Sequence, residues 1–512
     1  MSIELADNAP QSSTPASPPR SLRREWLQHL GSGLGATAFA TLFTRELALH
    51  PQNSFGASFR SEETASTNGL HHPARARHVI EIFCPGGLSH VDTWDYKPEL
   101  ERLHGTPFDS ELGKQTFAGV AGKHAKSFWP FQQHGQSGLW MSDLFPKLAR
   151  HVDAMTFLYS MQSKSALHGP AMFMMNSGFV LPGFPSMGSW VTYALGSETE
   201  NLPEYVVLPD PRGLPPGGTI NWGAGFLPAV HQGTVIETAD GQAAIRDLFP
   251  AREIAEPVET SGRALLQRFN RRHAQQRPGD TQLDARIASY ELAGKLQMSA
   301  PEAVDLSRES RPTHELYCTD DPDIGPFGKQ CMLARRLVER GVRFVQIYCG
   351  AENTGKKAIR PNWDSHEDIV RDHGYWGRIL DSGAAALLSD LQSRGLLDST
   401  LVLCTSEFGR QPFMQGEQKG RDHNPGVFTA WMAGGGTRGG CGYGASDAIG
   451  FKAAENPLYC YDLHATALHL LGVDHQRLTY YHNGIERRLT DVHGHVLHDV
   501  IRLAATGPTG NP

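Results

Sequence analysis

The C-terminal half of the chain alternates helical stretches with short apolar strands. Residues 327–340 and 376–394 carry apolar side chains at helical spacing, and each stretch is followed by a glycine and then by an apolar strand, at residues 342–348 and 400–405. Parallel strands need long connections between them, which are usually helices. The alternation therefore predicts an α/β fold with a mostly parallel central sheet and helices on both of its faces.

Other apolar runs extend this pattern over the rest of the chain. Further strands are predicted at residues 78–84, 154–161, 205–208 and 427–433, and a closing helix at residues 462–471. Residues 213–311 are loop-rich and then helical, with one helix face marked by Leu283, Ile287, Tyr290 and Ala293. We expect this stretch to form insertions over the sheet of one large domain at residues 78–505.

The N-terminal residues predict an export signal. Arg23 and Arg24 are followed two residues on by a tryptophan, and then by an uncharged, weakly apolar stretch at residues 30–43. This pattern resembles a twin-arginine signal, so residues 1–50 are interpreted as the signal region and 51–77 as a linker, with the protein in the periplasm or cell envelope. The alternative is a basic amphipathic helix. No other uncharged run approaches the roughly 20 residues of a membrane span, so no span is expected beyond an uncleaved leader.

Charge and cysteine content argue against two classes of function. The formal net charge of −7 provides no basic stripe, so nucleic acid is not expected as a partner. The 7 cysteines include no CxxC pair, and no cofactor fingerprint is present, so an exported redox protein is a weak alternative and no organic cofactor is expected. Four cysteines lie in apolar runs and are expected to be buried, namely Cys84, Cys331, Cys349 and Cys404.

Acidic and imidazole side chains follow or precede the strands of the C-terminal half. Asp364 and His366 lie in the loop after residues 342–348, Glu407 comes shortly after the strand that ends at Thr405, and His423 precedes the next strand. Ligands of open α/β sheets bind beyond the carboxyl ends of the strands. A mixed oxygen and nitrogen shell suits zinc or manganese better than calcium, so we expect a divalent metal there.

Each of these residues also has an ordinary structural explanation. A loop aspartate such as Asp364 commonly caps a turn, and a lone histidine is commonly a surface group. Glu407 could pair with Arg410. Their shared position around neighbouring strand ends is what favours the metal site.

Several segments resemble a known family. Leu401-Val402-Leu403-Cys404-Thr405-Ser406-Glu407-Phe408-Gly409-Arg410 and Asp422-His423-Asn424 look like the late metal-binding segments of the alkaline-phosphatase and sulfatase superfamily. More closely, residues 78–500 resemble a sulfatase-like family of unknown function, the domain of unknown function 1501. Its recurring segments are Gly86-Gly87-Leu88-Ser89-His90-Val91-Asp92-Thr93-Trp94-Asp95, His168-Gly169-Pro170-Ala171-Met172, Pro185-Ser186-Met187-Gly188-Ser189-Trp190, Gly225-Phe226-Leu227-Pro228 and Ser406-Glu407-Phe408-Gly409-Arg410. The resemblance implies an alkaline-phosphatase-like fold and metal ligation by Asp364, His366, Glu407 and His423.

The chain departs from the superfamily pattern at two positions. Where its enzymes have an aspartate directly after the first strand, this chain has Pro85-Gly86-Gly87, so His90 or Asp92 would have to substitute as a metal ligand. At the position of the sulfatase nucleophile the chain has His168, which could ligate metal or act as a covalent or acid–base group. Ser165 is a second candidate nucleophile, with a turn or helix-cap residue as its alternative role.

These observations predict an exported, metal-dependent hydrolase of sulfate or phosphate esters. Its substrate is expected to be an anionic small molecule or a polysaccharide ester, with Arg410 or Lys164 holding the anion. The alternative is a non-catalytic, sulfatase-like envelope protein that retains the fold and a metal but has lost turnover.

Overall fold

The computed structural model describes residues 70–108, 121–199, 201–238, 255–278, 283, 287, 302–352 and 362–503. The predicted signal region, most of the predicted linker and part of the predicted insertion therefore lie outside the described residues. Within the predicted insertion, Leu283 and Ile287 are helical, and Tyr290 and Ala293 lie outside the described residues.

The strands of the described residues vary from long central strands to short hairpin strands. They are β1 (His78–Phe83), β2 (Ala121–His124), β3 (Phe131–His134), β4 (Leu139–Ser142), β5 (Met155–Met161), β6 (Tyr205–Leu208), β7 (Thr234–Val235), β8 (Phe344–Tyr348), β9 (Thr400–Thr405), β10 (Gly409–Arg410), β11 (Phe413–Gln415), β12 (His423–Asn424), β13 (Phe428–Gly434), β14 (Cys441–Tyr443), β15 (Ala445–Ser446), β16 (Ala453–Glu455), β17 (Tyr480–His482) and β18 (Ile485–Arg487).

Eight of these strands form one central sheet in the order β14-β5-β13-β9-β1-β8-β6-β7. Strand β1 pairs in parallel with β8 and β9, and β6 pairs in parallel with β8 and β7. Strand β13 is antiparallel to both of its neighbours, β5 and β9. The N-terminal end of β13 therefore lies at the same edge of the sheet as the C-terminal ends of β1, β5, β8 and β9.

The α-helices of the described residues range from single turns to helices of 25 residues. They are α1 (His90–Thr93), α2 (Pro98–Leu103), α3 (His168–Ser177), α4 (Met187–Leu195), α5 (Glu256–Gln275), α6 (Arg311–Leu316), α7 (Gly325–Glu339), α8 (Ile369–Ser393) and α9 (Cys460–Leu470).

The two faces of the sheet contribute to two apolar cores, as the alternation of side chains along a strand requires. From β1, Ile80 and Ile82 enter the core that contains the apolar faces of α7 and α8. Val79 and Phe83 enter the other core, which contains side chains of α3, α4 and α9. The predicted α/β class, a mostly parallel sheet with helices on both faces, is confirmed.

The predicted boundaries agree with the structure to within about two residues, with one clear exception. Helix α8 begins at Ile369, seven residues before the start expected at position 376, because Asp368 caps it by accepting a hydrogen bond of 3.0 Å from Arg371 N. The apolar periodicity marks the buried face of a helix and gives no indication of a polar first turn.

All seven cysteines lie within the described residues, and each is a free thiol. Cys84, Cys331, Cys349 and Cys404 are buried, as expected. None of the helices in the described ranges combines the length and the apolar character needed to cross a membrane.

Candidate metal site

The turn after β1 and the loop after β8 contact each other at the C-terminal edge of the sheet. Trp363 N donates a hydrogen bond of 3.0 Å to Pro85 O. Gly86 has a φ of +110°, and a Cβ atom there would lie 2.5 Å from Asp364 N. Glycine is therefore required at position 86, because both its backbone conformation and its proximity to Asp364 exclude a side chain.

Three imidazoles converge on one carboxylate oxygen at this edge. The Oδ1 atom of Asp364 lies 2.9 Å from His366 Nε2, 3.2 Å from His423 Nε2 and 3.3 Å from His168 Nε2. The Nε2 atoms of His366 and His423 are themselves 3.0 Å apart. The structure thus brings together three of the four predicted ligands and adds His168, the candidate catalytic histidine.

Each imidazole is oriented through its other ring nitrogen. His423 Nδ1 lies 2.7 Å from Ala166 O, His366 Nδ1 lies 2.5 Å from Gln415 Oε1, and His168 Nδ1 lies 2.6 Å from Glu407 Oε1. Because these oxygens accept hydrogen bonds, the Nδ1 atoms donate, and each ring directs its Nε2 atom toward Asp364. This is the arrangement by which proteins orient histidine ligands toward a metal.

This donor set fits a divalent cation. Two Nε2 lone pairs 3.0 Å apart repel each other unless a proton or a cation lies between them. Carboxylate oxygens and imidazole nitrogens are ligands that suit zinc. The group His168, Asp364 and His423 and the group His366, Asp422 and His423 each have potential ligand atoms within 4.8 Å of one another.

The protonation states of two members favour cation binding. Burial, followed by the nearby Arg410 and His168, lowers the pKa of His423 to about 4, so this ring is neutral at pH 7. Burial by itself would raise the pKa of Asp364, but Arg410 and the three imidazoles lower it well below its ordinary value. The centre of the cluster is therefore an ionised carboxylate.

His168 is protonated when no cation is present. Burial by itself would lower the pKa of His168, but hydrogen bonds to Asp364 and Glu407 raise it to about 9. The imidazolium then lies between two carboxylates. A cation and a proton would compete for the same Nε2 atom.

Glu407, one of the four predicted ligands, lies behind His168 as its hydrogen-bond partner. Its side chain is fully buried, and its Oε1 atom also accepts a hydrogen bond of 2.8 Å from Gly86 N. Ser406 Oγ lies 3.0 Å from Oε2. The position of Glu407 is that of a carboxylate that orients a histidine ligand.

Arg410, the candidate anion-binding residue, is fully buried with its guanidinium in contact with Asp364. Its Nη2 atom lies 2.6 Å from Asp364 Oδ1, and Nη2 also donates to Gly86 O. The Nε and Nη1 atoms donate to the carbonyl oxygens of Gly87 and Arg421. Arg410 thus holds Asp364 in place, with four of its five donor hydrogens committed to protein oxygens.

The predicted substitute ligands His90 and Asp92 are not part of either ligand group. His90 is buried, and its Nε2 lies 2.8 Å from Gly450 O. Asp92 forms a fully buried ion pair with Arg421, with 2.8 Å between Oδ2 and Nε, and accepts a hydrogen bond of 2.5 Å from Ser89 Oγ. These contacts give Asp92 a structural role that links the first helix after β1 to the strand region around β12.

Ser165 and Lys164 precede α3 on the connection from β5. Ser165 Oγ accepts a hydrogen bond of 3.1 Å from Leu167 N, which is the contact of a turn residue before a helix. Lys164 Nζ lies 2.9 Å from Tyr461 OH and 4.7 Å from the centre of that ring. Lys164 therefore points toward α9.

Three groups next to the ligands, Ala166, Gln415 and Asp422, were not predicted from the sequence. Ala166 contributes a backbone carbonyl, for which no side-chain pattern exists, and Gln415 belongs to the short strand β11. Asp422 is buried next to His423, whose backbone N–H donates 2.8 Å to Asp422 Oδ1. The signal in the sequence for Asp422 was its position next to His423 in the segment Asp422-His423-Asn424.

Comparison with known proteins gives one family and several solved structures. The model of the family described as "Protein of unknown function (DUF1501)" matches residues 76–501. No curated protein matches the chain.

The similar solved structures have low identity to this chain. Ps i-CgsB shares 11% identity, covering 79% of this chain and 72% of that chain, with a TM-score of 0.34. The PsFucS1 sulfatase from Pseudoalteromonas sp. shares 12% identity, covering 80% of this chain and 71% of that chain, with a TM-score of 0.32. The lipoteichoic acid synthase LtaP from Listeria monocytogenes shares 9% identity, covering 80% of this chain and 76% of that chain, with a TM-score of 0.30. At these TM-scores the likenesses support no conclusion about the activity of this chain.

Proposed function

We propose, starting from the fact that the chain belongs to the DUF1501 family of proteins of unknown function, that it is an exported, metal-dependent hydrolase of sulfate or phosphate esters. The observation that carries the proposal is the convergence of three imidazole Nε2 atoms within 3.3 Å of Asp364 Oδ1. The segments that resemble the late metal-binding segments of sulfatases contain His423, a member of this arrangement, and Glu407, the hydrogen-bond partner of His168.

In the proposed site, Asp364, His366, His423 and His168 hold the cation. A divalent cation bound there supplies Lewis acidity toward an ester oxygen and toward water. Glu407 fixes the tautomer of His168 through the contact between Oε1 and His168 Nδ1, and Arg410 fixes the carboxylate of Asp364. Zinc or manganese suits the nitrogen-rich donor set better than calcium does.

Two of the imidazoles lie against an aromatic ring. The ring of Phe408 lies 5.0 Å from that of His168 and 4.6 Å from that of His423, measured between centroids. This apolar contact keeps water from the inner side of both rings and lowers the local dielectric, which strengthens the attraction between the carboxylate and a cation. A substrate would reach the site through His168 and His366, whose side chains are 21% and 18% accessible.

The proposal is tested by metal analysis combined with turnover. The purified protein, loaded with zinc or manganese, is assayed with 4-nitrophenyl sulfate and 4-nitrophenyl phosphate. We expect bound metal in the wild type, turnover of at least one ester, and loss of turnover in Glu407→Ala. Glu455→Ala, which changes an exposed glutamate at the end of β16, is the matched control and should behave as the wild type. Absence of bound metal would contradict the proposal.

One observation favours the alternative, a non-catalytic envelope protein that retains the fold. The guanidinium of Arg410 already neutralises Asp364, with 2.6 Å between Nη2 and Oδ1, and a fixed positive charge at that distance weakens cation binding. Metal bound without any ester turnover in the wild type would favour this alternative.

A further inference from the structure

A cavity of about 410 Å³ opens beside the N-terminus of α9. Its volume falls within the roughly 300–1,000 Å³ range of small-molecule sites. Two classes of side chain dominate its wall, cationic or imidazole groups and tyrosines: Lys164, Arg488, His493, His495, Tyr459 and Tyr461.

Lys164 and Arg488 form no ion pair with the carboxylates of the described ranges, since none of these lies within the ion-pair distance of 4.0 Å. The acidic lining residue, Asp462, is committed to the backbone, because its Oδ2 accepts from Tyr459 N and its Oδ1 from His495 N, both at 2.9 Å. With the two cationic side chains Lys164 and Arg488 and the one carboxylate of Asp462, the wall carries an excess of positive charge, which attracts anions.

The tyrosines add flat apolar surface to this charge. Lys164 Nζ lies 4.7 Å from the ring centre of Tyr461 and 5.6 Å from that of Tyr459, and the ring of His493 lies 4.7 Å from that of Tyr461. The partly exposed ring of Tyr459 presents a face for the C–H groups of a sugar ring, while the cations and imidazoles provide hydrogen-bond donors. A sugar ring that carries anionic substituents matches both the aromatic surface and the positive charge of the wall.

The cavity is connected to the candidate metal site through one short segment. Lys164 precedes His168 by four residues, so their Cα atoms are at most about 14 Å apart. Ser163 N donates 2.9 Å to Pro425 O, and Ala166 O accepts 2.7 Å from His423 Nδ1, so both flanks of Lys164 are bound to the segment that carries His423. A ligand of two or more sugar units could therefore contact both sites.

We propose that this cavity is a second binding site for an anionic saccharide, which holds a sulfate or phosphate group and its sugar ring while the ester to be cleaved lies at the Asp364 cluster. This inference rests on the proposed function, which places the ester to be cleaved at the Asp364 cluster. The cavity itself recognises tetrahedral oxyanions on a sugar, whichever ester supplies them. Lys164 and Arg488 contact the oxyanion, and the partly exposed Tyr459 packs on the sugar ring.

The test measures binding by isothermal titration calorimetry on the full chain, with isomaltotetraose carrying sulfate esters, the same sugar carrying phosphate esters, and the unmodified sugar. We expect at least one of the charged sugars to bind and the unmodified sugar to bind at least tenfold more weakly. Lys164→Gln and Arg488→Gln should each weaken binding of the charged sugar by about tenfold. The preference between the two charged sugars identifies the natural oxyanion.

A matched control and a second type of variant keep the test decisive. Arg150→Gln removes one exposed positive charge before β5, at the opposite edge of the sheet, and should bind as the wild type. Val492→Trp places a bulky ring at an exposed position of the cavity wall, where Val492 is 76% accessible, and should weaken binding without removing charge. Circular dichroism checks that each variant is folded.

Failure of this inference and failure of the proposed function give different results. If Lys164→Gln, Arg488→Gln and Val492→Trp all bind the charged sugar as tightly as the wild type, the cavity is not the binding site, whatever the turnover of small esters. If the wild type hydrolyses neither 4-nitrophenyl ester but binds the charged sugar in a manner that depends on Lys164 and Arg488, the saccharide site stands and the hydrolase proposal fails.

Discussion

Glu407 Oε1 lies 2.6 Å from His168 Nδ1, and this contact joins the end of β9 to the first residue of α3. The two residues are 239 positions apart in the chain. Because the backbone N–H of Gly86 donates to the same Oε1 atom, the contact also connects the turn after β1. Three separate segments thus fix one imidazole, which is what a preorganised ligand requires.

Replacing Glu407 by glutamine should weaken cation binding by about 10- to 100-fold, the usual effect of losing a carboxylate behind a histidine ligand. The amide keeps the size of the side chain but loses the charge that stabilises the His168 tautomer. Competition with a chromophoric zinc chelator measures the affinity. Glu455→Gln, at an exposed position, is the control, and an unchanged affinity in Glu407→Gln would show that the contact has no part in cation binding.

Zinc should raise the melting temperature of the wild type, because a ligand that binds the folded state stabilises it by about 2.7 kcal/mol at a concentration one hundred times the Kd. His366→Gln removes one of the three Nε2 atoms next to Asp364 Oδ1 and should reduce this shift strongly. Differential scanning calorimetry with and without zinc measures it. His498→Gln, which changes an exposed histidine, should keep the full shift, and an equal loss in both variants would contradict the assigned site.

The fold and part of the site could be predicted from the sequence because their signals are local. Strand β9 is a continuous apolar run with Glu407 two residues beyond it, and the direction of parallel strands sends Asp364 and Glu407 to the same edge. The convergence of Asp364 with His366 and His423 follows from that topology.

The remaining features depend on contacts between distant residues, which have no local signal. Asp92 pairs with Arg421 across 329 positions, and nothing near Asp92 in the sequence distinguishes a buried ion pair from a metal ligand. Similarly, the acceptor that orients His423 is the carbonyl of Ala166, which any residue type could supply. Sequence spacing identified Glu407 as a residue of the site. The ring of His168, however, lies between Glu407 and Asp364, and only the packing of α3 against the sheet puts it there.

The Asp92→Asn variant should lose about 3–5 kcal/mol of unfolding free energy, because it leaves the fully buried guanidinium of Arg421 without its counter-charge. Its zinc stoichiometry should stay at the wild-type value, since Asp92 is outside both ligand groups. Urea unfolding and metal analysis of the folded fraction measure the two quantities. Asp398→Asn, in an ion pair whose carboxylate is 82% exposed, should leave both nearly unchanged. A loss of zinc in Asp92→Asn with intact stability would instead identify Asp92 as a ligand.

The buried carboxyl group of Glu81 should make stability depend on pH in the direction opposite to that of a salt-bridged acid. Burial raises the pKa of Glu81 from 4.5 to about 8, although a hydrogen bond from Gln346 opposes the shift, so the folded state keeps this group protonated at neutral pH. Below about pH 4.5 both states are protonated and the full stability is present. As the pH rises toward 8 the unfolded chain ionises first, so the free energy of unfolding falls until the folded state also ionises.

The variant Glu81→Gln should remove this pH dependence, because the amide cannot ionise and its oxygen can still accept the 3.0 Å hydrogen bond from Gln346 Nε2. The stability of the variant relative to the wild type should therefore increase as the pH rises from 5 to 8. Urea unfolding at several pH values measures the difference, with the exposed Glu455→Gln as the control. Parallel curves for Glu81→Gln and the wild type would show that Glu81 is ionised in the folded protein at neutral pH, and that its surroundings supply a counter-charge in addition to the Gln346 amide.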